Sequence, residues 1–130
     1  KAEVMPWSVY FPKAGKREFS VYLMANAPIS EMASALNALV VTYDPKNGKG
    51  VVNRGRYSNP QIDELVNAAL LTMDDTKRRD LLAKASELAA DEVAVVPLYF
   101  YSTLVATSKS IRYAPRFDQF TLAQHVHGTK

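Results

Sequence analysis

Apolar residues in the middle of the chain recur with the spacing of helices. Ile62, Leu65, Val66, Ala69 and Leu70 form one stripe, and Leu81, Leu82, Ala85, Leu88 and Ala89 form a second. Each stripe has a start signal. Asn59 precedes Pro60, a cap residue followed by proline at the first helical position. Asp74 is placed to cap the second helix, with Asp75 in the first turn, where an acid suits the helix dipole. Asp80 and Lys84 sit one turn apart on its polar face, a pair worth about 0.3 kcal/mol. Met32, Ala35, Leu36, Leu39 and Val40 make a third stripe, with Ser30 as the expected N-cap and Glu31 as the first helical residue. Trp7, Tyr10 and Phe11 share one face of a short helix bounded by Pro12 and Gly15, and such aromatics are expected in a core.

Other stretches read as strands. "KAEVM" at the start is a short one. "EFSVYLMA" alternates, with Phe19, Val21 and Leu23 on one side. "VAVVPLYFYSTLVAT", residues 93–107, is too uniformly apolar for a one-sided strand and is expected to be buried on both faces, with Tyr99, Phe100 and Tyr101 in the core. "FTLAQHV" is a last short strand. Between these elements, "NAPIS" is a turn. Residues 42–56 carry Asp44-Pro45, Asn47-Gly48 and Gly50, which is loop chemistry, and the loop is locally basic. Residues 108–119 are expected to be mostly loop. Alternating strands and helices predict an α/β fold.

Composition narrows the picture. The 130 residues are 48 % hydrophobic, enough for one domain with a real core. A net charge of +3, with lysines and arginines scattered among acids, lacks the dense basic patch of a nucleic-acid binder. With no cysteine, disulfides, thiolate-held metals and thiol catalysis are excluded. No run approaches the roughly 18 apolar residues of a membrane-spanning helix. The opening "KAEVMPWSVYF" lacks the features of a signal peptide, so a processed or excised chain is expected.

Candidate chemistry is sparse. His125 and His127 would share a strand face, but no carboxylate pattern completes a metal site beside them. "NGKG" is followed by Val51 and Val52, not by the Ser/Thr and helix of a phosphate-binding loop. No serine sits in a Gly-x-Ser-x-Gly turn. Asp74–Asp75 is explained by capping, and Asp91–Glu92 is expected to be solvated. No catalytic residue, cofactor or metal is expected, and the chain reads as a binding module.

The stretch "YSNPQIDELVNAAL…DDTKRRDLLAKASELAADEVAVVPLYF" resembles the C-terminal part of the dipeptide/oligopeptide-binding family of ABC-transporter solute-binding proteins. Tyr57, Asn59, Pro60, Asp63, Asp75, Arg79, Pro97, Leu98 and Tyr99 carry the resemblance. "EFSVYLMANAPISEMASAL" resembles the family's strand, ligand-facing turn and helix, with Met24-Ala25 where the family often has Gly-Trp. The resemblance implies a two-lobed receptor, periplasmic or lipid-anchored outside a Gram-positive cell, that closes on a small solute and delivers it to an ABC permease. Residues 1–107 would be a portion of its second lobe, and 108–130 a C-terminal segment returning toward the first. Peptide-binding members commonly hold the ligand's amino terminus with an aspartate in the turn after that strand. Here the nearest acid is Glu31, and Ser30-Glu31 resembles a step of the glutathione-binding branch.

Ligands of open α/β sheets bind at the carboxyl ends of strands. That rule places Asn26, Ser30 and Glu31 at the cleft, with Asn53, Arg56 and Tyr57 closing it from the basic loop. Glu31 would take an ammonium and Arg56 a carboxylate, which suits a peptide-like or zwitterionic solute. The competing reading is a stand-alone small α/β domain that binds a protein partner.

Overall fold

The computed structural model describes residues 2–26, 31–100, 102, 104–116 and 118–129. The chain forms two units, the first of residues 1–24 and 31–96, the second of 25–30 and 97–130.

Four helices organise the first unit: α1 (Trp7–Gly15), α2 (Met32–Leu39), α3 (Pro60–Leu71) and α4 (Asp75–Asp91). The local start signals act as expected. The Asn59 side chain accepts from the N–H groups of Gln61 and Ile62, and Pro60 takes the first helical position. Asp74 accepts from the Lys77 N–H at 2.8 Å. The helices α2, α3 and α4 pack on one another around Ala33, Leu36, Val40, Val41, Ile62, Val66, Ala69, Leu82, Ala85 and Ala89. Full burial of a side chain such as Ile62 or Val66 contributes about 1.5–3 kcal/mol. The aliphatic stripes are therefore where the periodicity puts them, except that Ala33 replaces the exposed Met32 and that Leu70 faces solvent.

The start of α2 differs from expectation. Ser30 lies outside the described residues, and the N-cap position belongs to Glu31, whose side chain makes no capping bond. The α1 aromatics also differ. Trp7 stacks on Phe11 with centroids 5.0 Å apart, yet both rings stay about half exposed, and Ala14 is the buried residue of that helix. One short helix has little to pack them against, so they pack on each other.

Three expected strands do not form: residues 2–5, 19–25 and the described part of 93–107 are irregular. Tyr101 and Thr103 lie outside the described residues. Leu98, Tyr99 and Phe100 are largely exposed, not buried on both faces. The reason is the backbone: a strand is defined by a neighbour that accepts and donates its ladder hydrogen bonds, and apolar composition alone supplies none.

Among the described residues the paired strands are β1 (Ile111–Tyr113) and β2 (Val126–Gly128), which form an antiparallel pair in the second unit with Arg112 opposite His127. Residues 111–113 were expected to be loop. The expected strand 120–126 is instead irregular up to a 3-10 turn, Ala123–His125, with Val126 opening β2. Arg116 and Asp118 form an ion pair in the connection, which holds the Asp118 carboxyl below its usual range. Four helices with a small sheet are compatible with an α/β class.

Candidate functional site

Residues 40–59 lead from α2 to α3 and contain most of the expected binding residues. Asp44 organises the first bend. It accepts from the Asn47 amide and from the Lys46 N–H, and the Asn47 bond holds its carboxyl below the usual range. Asp44 and Lys49 then pair as an isolated bridge. At Gly50 the chain turns back onto α2. Its N–H donates to the Asn37 carbonyl at 2.8 Å, and Val52 donates to Ala38 at 2.9 Å. Gly50 is left-handed, with φ +59, and a Cβ there would stand 2.4 Å from the Val41 carbonyl oxygen.

Asn53 is the buried centre of this loop, only 3 % exposed. Its amide nitrogen donates to the carbonyls of Val41 at 3.0 Å and Tyr57 at 2.7 Å, with that of Val40 at 3.5 Å. Its amide oxygen accepts from the Tyr57 N–H at 3.0 Å. The side chain thus closes the carbonyls left beyond the end of α2 and sets the path into α3. It was expected to face a solute; here its polar atoms serve the backbone.

Arg56 is left-handed, with φ 59. Its Nη1 donates to the Asn53 carbonyl at 2.6 Å, and its guanidinium lies 3.5 Å from the centroid of the Tyr43 ring. Tyr43 was not singled out by sequence, although it sits in the same basic loop. Among the described residues no carboxylate pairs with Arg56.

Tyr57 donates to Glu92 at 2.5 Å, and the Asn59 amide donates to the other Glu92 oxygen at 2.8 Å. Glu92 stands at the C-cap of α4. The three residues therefore join the start of α3 to the end of α4. Glu92 is exposed, but it is engaged and not merely solvated. These hydrogen bonds lower its carboxyl below the usual 4.5, Tyr57 contributing most. Burial, followed by the bond to Glu92, raises the Tyr57 phenol. A lowered carboxyl stabilises the fold above the unfolded carboxylate range and loses that contribution as pH falls through its folded value. A raised phenol contributes below its unfolded value and loses the contribution as pH rises through the folded one. Tyr57→Phe should therefore shift the acid unfolding midpoint of the chain toward neutral pH, followed by circular dichroism. An unchanged acid limb would show that Glu92 draws nothing from this phenol.

Glu31 stands apart from this group. Its carboxylate faces Arg78 of α4 at 3.5 Å and accepts from the Ser34 hydroxyl at 3.4 Å. Asn53 and Arg56 gather at the other end of α2, so about 12 Å of helix separates them from Glu31. Asn26 is exposed and belongs to the second unit. The structure brings together Asn53, Arg56 and Tyr57, and places Glu31 with Arg78. Two cavities accompany the first unit, of about 130 and 190 Å³, and among the described residues none of the expected binding residues lines either.

Comparison with known proteins gives these positions a context. Over 96 residues, 74 % of the chain, the sequence is 30 % identical to the oligopeptide-binding protein OppA of Bacillus subtilis. The chain has relatives among the oligopeptide-binding proteins. It is also 35 % identical over 75 residues to the periplasmic oligopeptide-binding protein OppA of Salmonella typhimurium, covering 58 % of the chain. An uncharacterised lipoprotein of Mycobacterium tuberculosis is 30 % identical over 82 residues, 63 % of the chain. The matched regions span 17 %, 12 % and 14 % of these three relatives, in that order. The chain thus matches a segment of oligopeptide-binding proteins and is consistent with a fragment of one. No family model and no solved structure matches it. Among the described residues no helix is long and apolar enough to cross a membrane.

Proposed function

We propose that the chain is part of the second lobe of an extracytoplasmic solute receptor of an ABC import system, which binds a peptide-like solute and hands it to a membrane permease. The observation that carries this reading is the similarity, over most of the chain, to the oligopeptide-binding protein of Bacillus subtilis. The names of the Salmonella and Mycobacterium relatives, one periplasmic and one a lipoprotein, favour a location outside the cytoplasm. The Bacillus and Salmonella relatives are named as binding proteins, in keeping with a receptor and not an enzyme.

Within this reading Glu31 and Arg56 hold opposite charges of the solute. Their separation by the length of α2 sets a scale. About 12 Å is too far for the ammonium and carboxylate of one amino acid, and an extended peptide gains about 3.3–3.6 Å per residue. A solute held at both ends would therefore be a peptide longer than a single amino acid. Glu31 would exchange its half-exposed contact with Arg78 for the solute's ammonium, and the guanidinium on Tyr43 would take the carboxylate.

The test uses the longer protein that contains this chain. Calorimetry with a tetrapeptide should show binding that Glu31→Gln weakens more than tenfold, about 1.4 kcal/mol, while the melting temperature barely moves. Unchanged affinity with a slightly lower melting temperature would leave Glu31 only its contact with Arg78 and the favourable end of α2.

A further inference from the structure

The smaller cavity, about 130 Å³, opens between the end of α1 and the segment that follows it, and Arg17, Phe19, Ser20, Tyr22 and Arg54 contribute to its lining. Its aromatic wall is continuous with α1. Tyr10 stacks on Phe19 with centroids 5.7 Å apart and rings 17° from parallel, and it meets Tyr22 edge-on at 6.3 Å.

Of the two arginines of this cavity, Arg54 has only soft partners. The Arg54 guanidinium lies 4.8 Å over the Phe11 ring, and its Nη1 is 3.9 Å from the Met24 sulfur. Among the described residues neither Arg17 nor Arg54 has a carboxylate within ion-pair distance, and the neighbouring Glu18 faces Lys13 at 4.0 Å. A third group lacks a partner as well. The Tyr10 hydroxyl is buried and makes no hydrogen bond. A buried hydroxyl left unpaired costs about 1–3 kcal/mol. Burial raises this phenol, and the Arg54 charge opposes the shift, which sets the guanidinium and the hydroxyl in the same neighbourhood.

We propose that this cavity binds a carboxylate carried on a small apolar or aromatic body, held between Arg17 and Arg54. Guanidinium forks match a planar carboxylate with two parallel hydrogen bonds. The ring-lined wall favours an apolar body over the hydration shell of a phosphate. The volume sets the size: an apolar cavity of about 150 Å³ can hold a benzene molecule, so the space suits a body of about one ring. Neither Glu31 nor Arg56 takes part, and the site does not depend on the transport reading.

The test titrates sodium benzoate into the 130-residue chain at constant ionic strength, followed by the arginine side-chain N–H resonances. Benzamide serves as the neutral counterpart. Benzoate should give saturable shifts at Arg17 and Arg54, and benzamide should bind at least tenfold more weakly. Arg17→Gln and Arg54→Gln should each lose tenfold or more. Equal binding of benzoate and benzamide by the unaltered chain would overturn the proposal without recourse to any variant. So would shifts that grow linearly with benzoate, or inorganic phosphate competing as well as benzoate does.

Discussion

Gly50→Ala should remove about 3 kcal/mol of stability from the chain, while Gly48→Ala should remove only about 1–2 kcal/mol. Both glycines are left-handed, with φ +59 and +68, so both substitutions carry the steric cost of an L side chain in that region. They differ in surroundings. A Cβ at Gly48 meets nothing within 4 Å, whereas at Gly50 it meets the Val41 oxygen at 2.4 Å and the Tyr43 Cα at 2.7 Å. Those atoms are backbone and cannot swing aside. To relieve the clash the loop must lift from α2 and stretch the Gly50–Asn37 and Val52–Ala38 hydrogen bonds. Urea unfolding of the two variants in parallel isolates the close approach, since the conformational term is common to both. Equal losses would mean that the loop does not rest on α2.

Asn53→Ala should cost about 3 kcal/mol, and Asn53→Asp should cost more. Alanine leaves the carbonyls of Val41 and Tyr57 and the N–H of Tyr57 without their partner in a site that is 3 % exposed. Each buried group so orphaned costs about 1–3 kcal/mol, tempered where water reaches it. Aspartate keeps the oxygen that accepts from Tyr57 but replaces the donor with a charged acceptor. That acceptor faces two carbonyls, an arrangement worse than a void. Chemical denaturation gives the order. Aspartate tolerated better than alanine would show that the accepting oxygen, not the donating nitrogen, holds the loop.

The helices were legible because their signals are local. Asn59-Pro60 and Asp74-Asp75 act through the next three residues, and the stripes at 62–69 and 82–89 need only a helix to face the same way. The run 93–107 was misread for the complementary reason. Its composition describes what a strand prefers, while strandhood depends on a neighbour, and the described residues provide none. The site shows the same division. Tyr57 and Asn59 stood out as a motif, but the residue they hold, Glu92, is 35 and 33 positions away and had looked solvated. Asn53 looked like a ligand-facing amide because its loop is polar and basic. Its burial follows from the path of that loop across the end of α2, which Gly50 sets. Tyr43 carried no signal until the left-handed Arg56 was seen to lay its side chain across the ring.

Val93 ends α4 in the left-handed region, with φ 54, where the chain would ordinarily place glycine. Its N–H donates to Ala90 and that of Ala94 to Ala89, so the reversal closes the last carbonyls of the helix. A β-branched residue held there costs about 1–2 kcal/mol, and the same residue is at ease in extended backbone. The two hydrogen bonds therefore hold a strained backbone in place at the end of α4. Once those two hydrogen bonds are released, the backbone strain favours an extended Val93 by a factor of about 5–30.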